Sequence, residues 1–62
     1  MLREEIKLCN RKRDIEHAIY DRIKFLEKLD KRFVHKYNYI QIEIEYMNKE
    51  IAAIEKRLES LR

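Results

Sequence analysis

From Tyr37 onward the apolar residues recur at alternating steps of three and four: Tyr37, Ile40, Ile44, Met47, Ile51, Ile54, Leu58 and Leu61. Such a run of heptad matches predicts an amphipathic helix whose seam faces other helices. Ile44, Ile51 and Leu58 take the a positions, and Ile40, Met47, Ile54 and Leu61 the d positions. Ile at both a and d disfavours a simple two-stranded coil and favours a higher-order bundle. The first half is helical as well, with Ile15, Ile19, Ile23, Leu26 and Leu29 on one face that Ala18 and Phe25 widen. So broad a stripe suits a helix touching two neighbours. Upstream, Leu2, Ile6 and Cys9 form a shorter stripe, interrupted by the polar stretch from Asn10 to Asp14, and the first turns are expected to be the least firmly packed.

One continuous helix and a hairpin both fit this pattern. The register slips near Phe33, as it would in a stuttered coil or at a chain reversal. Asp30 and Asn38 are both good N-cap residues. Asn38 has Gln41 three positions on, as in a capping box, and Asp30 has Leu29 and Val34 placed for a hydrophobic staple. Lys28, Lys31 and Arg32 sit where cations complement a helix C-terminus. The chain has no Gly and no Pro, which argues against a tight reversal. Charge decides for the hairpin, because a parallel in-register dimer sets Glu50 against Glu55 and Arg57 against Arg62. A turn is therefore expected within residues 30–37, in a single domain spanning 1–62.

Length turns the hairpin into an expected dimer. At 62 residues, one seam between two helices buries too little apolar surface to offset the ordering of the chain. The seam residues Ile40, Ile44, Met47, Ile51, Ile54 and Leu58 are accordingly the expected dimer core. The fold class is all-α, an antiparallel helical hairpin dimerising into a four-helix bundle.

Composition removes most chemistry. A lone Cys9 forms no internal disulfide, and His17 and His35 lie far apart with no second Cys, so neither a metal site nor any other cofactor is expected. Cys9 is read as a small apolar core residue of a reducing cytosol. Ser60 is the only serine and there is no threonine or phosphate-binding Gly loop, which leaves no catalytic constellation. No apolar run approaches the roughly 20 residues that span a bilayer, and the charged start (Arg3, Glu4, Glu5) does not suit a signal peptide. A cytoplasmic protein is expected, with no membrane partner. Charged residues make up 44% of the chain, 15 basic against 12 acidic, with a single Gln, a Lys/Glu-rich and amide-poor character that leans toward thermophilic proteins.

Two surface features remain. Tyr39, Ile42 and Tyr46 fall one turn apart on the side of the second helix opposite its seam. Apolar, Tyr-rich patches of this kind dock partners, although they also result when a neighbouring helix wraps over them. Basic residues cluster at Arg11, Lys12 and Arg13 and again at Lys31, Arg32 and Lys36. With a net charge of +3, they are the candidate nucleic-acid contacts. Interspersed acids cancel most of their field beyond a Debye length of about 8 Å.

About sixty residues, two amphipathic helices, no cofactor motif and an Ile, Lys, Glu, Arg and Tyr-rich composition resemble the small helical-hairpin proteins of Sulfolobus spindle-shaped viruses. That resemblance implies a dimeric four-helix bundle acting as an adaptor in the host cytoplasm. The architecture is also similar to the Rop family, hairpin dimers that bind paired RNA loops through one bundle face, with no residue-level motif to carry across. The expected function is a non-enzymatic adaptor or scaffold whose partners are a second copy of itself and another protein. A nucleic-acid-binding hairpin dimer is the alternative.

Overall fold

The computed structural model describes residues 2–61. Two helices, α1 (Arg3–Lys28) and α2 (Val34–Leu61), pack along each other, joined by residues 29–33. Ion pairs near the free ends (Glu4 with Arg57) and toward the turn (Arg22 with Glu43) fix their directions as antiparallel. The chain trace measures 47 × 15 × 11 Å, close to the length of one helix of 28 residues at about 1.5 Å per residue. One continuous helix would be about twice as long.

The reversal is made without glycine because no residue in it needs a positive φ. Leu29 leaves α1 in an extended conformation (φ −73°, ψ 133°) while its N–H still donates to the Leu26 carbonyl. Asp30 then organises the turn. Its carboxylate accepts from the backbone N–H of Arg32 at 3.0 Å, and its carbonyl accepts from the N–H of Phe33 at 3.0 Å. The Tyr37 N–H donates to the Phe33 carbonyl, so Phe33 stands where α2 starts. Neither expected N-cap serves there: Asp30 builds an Asx-type turn three residues earlier, and Asn38 lies inside α2. At the other end, Glu4 and Glu5 place negative charge in the first turn of α1, whose N-cap Leu2 has no capping side chain.

The core is narrow. Ile15 of α1 and Ile54 and Leu58 of α2 form one buried cluster, with Leu8, Cys9, Ile19, Met47 and Ile51 half-buried around it. Ile40 is buried nearer the turn. Leu2 and Ile6 remain about half exposed, as the interrupted first stripe suggested. Among the described residues no large side chain is fully enclosed, since a single layer of two helices has no second layer to close over it.

Charges that would repel in a parallel dimer find opposites on α1. Arg11 donates to Glu50 at 2.9 Å, Lys12 lies 3.2 Å from Glu55, and Arg57 donates to Glu4 at 2.9 Å. Such exposed pairs add little stability individually and mainly select the antiparallel alignment. The hydrogen bond from Arg57 holds the Glu4 carboxyl below its ordinary value, and the Arg32 backbone N–H, then its guanidinium, do the same for Asp30. A lowered carboxyl pKa contributes stability above the ordinary carboxylate range and loses it as acid protonates the group. The melting temperature is therefore expected to hold from neutral pH to about pH 5 and to fall below it. Glu4→Gln, followed by circular dichroism, is expected to make that fall shallower.

Candidate functional site

The two long sides of the hairpin differ. At about 100° per residue, Glu4, Arg11 and Arg22 fall on one flank of the Ile15 seam, and Glu43, Glu50 and Arg57 fall on the matching flank of α2. All six are paired across the helices, the Arg22 to Glu43 pair at 3.4 Å. Arg22 reaches its partner by leaning back one turn, where its guanidinium also donates to the Ala18 carbonyl at 3.4 Å. That direction follows from the tilt of helical side chains toward the N-terminus. A row of ion pairs thus covers this side of the seam.

The other flank is open. Ile19, Ile23 and Leu26 of α1 and Tyr37, Ile44 and Ile51 of α2 line two adjoining hollows that share Ile23 and form a shallow apolar groove. Lys12 and Glu55 bridge the groove toward the free ends of the helices. In the groove Tyr37 is oriented by Gln41, whose amide donates to the phenol oxygen at 3.0 Å. Ile23 and Tyr37 are each 43% exposed.

Of the six seam residues, Ile40, Ile54 and Leu58 are buried and Ile44, Met47 and Ile51 half-buried. α1 occupies much of the seam within one chain, and Ile44 and Ile51 remain open to the groove. Tyr39, Ile42 and Tyr46 are 65%, 51% and 68% exposed, so α1 does not wrap over them. They sit on the ion-paired side and back of α2, away from the groove. The Lys49 ammonium lies 5.7 Å from the Tyr46 ring, and Glu43 and Glu45 border the patch.

The basic residues are largely engaged within the chain. Arg11, Lys12 and Arg32 are in ion pairs, Arg13 donates to the Asn10 side-chain oxygen at 3.3 Å, and the Lys36 ammonium lies 5.2 Å from the Phe25 ring. Lys31 borders a shallow hollow with Val34 and Tyr37 at the turn. Among the described residues no group of three or more His, Cys, Asp or Glu is placed to hold a metal ion. No family model, curated protein or solved structure matches the chain.

Periodicity did not reveal the groove, because a heptad marks the seam but not which flank will be closed by ion pairs. Phe33 and Val34, read from the sequence only as the register slip and as part of a staple, are each more than half exposed at the turn. Their signal was two consecutive apolar residues inside a basic run.

Proposed function

We propose that the protein is a non-enzymatic adaptor in which two hairpins join through the open groove into a four-helix bundle. Each copy then presents Tyr39, Ile42 and Tyr46 to another protein. The one-sidedness of the hairpin carries this reading: one flank has an unfilled apolar groove, while the opposite side is sealed and bears an exposed tyrosine patch.

Area supports the second copy. The chain exposes 5405 Å², whereas a compact protein of 7.8 kDa exposes about 4,400 Å². The excess of roughly 1,000 Å² is comparable to what one partner contributes to a specific interface. The radius of gyration points the same way, 14.6 Å against about 10.6 Å for a compact chain of this length. Pairing through the groove adds the missing layer and leaves the tyrosine patch free. The resemblance to the viral hairpin adaptors agrees with this arrangement.

The alternative, a nucleic-acid binder, draws on basic side chains that the hairpin already uses internally. Salt separates the two readings, since phosphate contacts weaken steeply with salt and an apolar protein interface does not. Tyr39→Ser with Tyr46→Ser is expected to weaken partner capture about fivefold or more per site, in the range of interface hot spots. The dimer mass and melting temperature are expected to stay nearly unchanged. Unfolding or dissociation of that variant, checked by circular dichroism and sedimentation, would assign the patch to the core instead.

A further inference from the structure

The charge of the chain is concentrated at one end. Between residues 28 and 36, Lys28, Lys31, Arg32 and Lys36 stand against Asp30 alone, a balance of +3 that equals the net charge of the whole chain. The remaining length carries as many acids as bases. Only Lys28 is placed to complement a helix C-terminus, at the end of α1. Lys31, Arg32, His35 and Lys36 gather at the positive, N-terminal pole of α2, whose first turn has no acidic residue. Cations at this pole are unfavourable; the Arg32 pair with Asp30 and the Lys36 contact with the Phe25 ring offset part of that cost and leave both side chains exposed to solvent. Between these charges Phe33 and Val34 project from the turn, 56% and 55% exposed.

We propose that the hairpin tip docks peripherally on an anionic lipid surface. Phe33 and Val34 enter the headgroup boundary, and the flanking Lys and Arg side chains meet lipid phosphates. Basic clusters beside exposed aromatic and aliphatic side chains bind such surfaces by combining electrostatic attraction with shallow apolar insertion. The tip geometry favours lipid over nucleic acid. A duplex is best contacted along a length of protein, and the long sides here are neutralised by ion pairs. The tip is the narrow end of a body only 15 × 11 Å across, and Val34 has nothing to offer a base or a phosphate. Among the described residues no helix is long and apolar enough to cross a membrane, so the proposed contact is superficial. The proposal departs from the expectation of no membrane partner, which rested on spanning and signal segments. The proposal stands on the hairpin itself and requires neither the dimer nor the tyrosine patch.

Co-sedimentation with sucrose-loaded phosphatidylcholine vesicles, with and without about one-third phosphatidylserine, tests it. The full chain is expected to sediment with the anionic vesicles only, and to be released when salt is raised from about 0.1 M to about 0.5 M. Phe33→Ser with Val34→Ser removes the insertion, and Lys31→Gln with Lys36→Gln removes charge without touching those apolar side chains. Each variant is expected to lower the partition coefficient about fivefold or more with its helical circular dichroism retained. Should the first variant lose its helical signal, the second decides. No binding to anionic vesicles, equal binding to neutral ones, or unchanged binding of the charge variant would overturn the proposal. A chain that ignores vesicles but is retained by an RNA or DNA duplex through Lys31 and Lys36 would assign the tip to nucleic acid.

Discussion

Replacing Ile54 with Ala is expected to lower the unfolding free energy by about 2 to 5 kcal/mol per subunit. Ile54 is 7% exposed and joins Ile15 and Leu58 in the only cluster of buried residues described. Truncation removes three methyl or methylene groups from the buried cluster between the helices, and a two-helix layer has few other side chains to collapse into the gap. A small domain is stable by only several kcal/mol, so this loss is expected to leave a large unfolded fraction at room temperature. Urea titration followed by circular dichroism measures it. Ile42→Ala, on the exposed outer face, serves as the control and is expected to change stability by less than about 0.5 kcal/mol. Equal effects at the two sites would mean that α2 presents a different face to α1.

Ile23→Glu is expected to have the second large effect, on association. In a lone hairpin position 23 is partly exposed, so a carboxylate there reaches water at little cost. In the proposed bundle it would be buried at the centre of the groove near Glu16 and Glu27, where the lining cation, Lys12, is already paired with Glu55. An unpaired buried charge costs several kcal/mol, and about 3 kcal/mol corresponds to roughly a hundredfold rise in dissociation constant. Size-exclusion chromatography at fixed concentration is expected to show the variant as monomer, with reduced helical signal because a single layer is marginal. A variant that stays dimeric while Tyr39→Ser with Tyr46→Ser dissociates would place the interface on the opposite side.

How far the sequence led is clearest at the turn. The heptad through Tyr37 to Leu61 located α2 and its seam, and the broad stripe from Ile15 to Leu29 located α1, because burial imposes the helical period directly on residue choice. The charge conflict of a parallel coil correctly favoured reversal, and Arg11, Lys12 and Glu4 turn out to be the opposites that Glu50, Glu55 and Arg57 lacked. The turn itself was harder to read. Without Gly there was no helix-end marker, and the reversal relies on the Asp30 carboxylate, a residue equally at home as an N-cap. Placing the connection at 29–33 rather than further along also changed the meaning of the basic run. Lys28 does complement the end of α1, whereas Lys31 and Arg32, read the same way, sit in the connection just ahead of α2. The asymmetry of the two flanks was not legible either, since it depends on which charged residues face each other after folding.

The most direct measurement of the central claim is sedimentation equilibrium of the unmodified chain across micromolar concentrations. A hairpin whose second layer is another copy of itself is expected at about twice the 7.8 kDa chain mass. A stable, fully helical species at the mass of one chain over that whole range would contradict it.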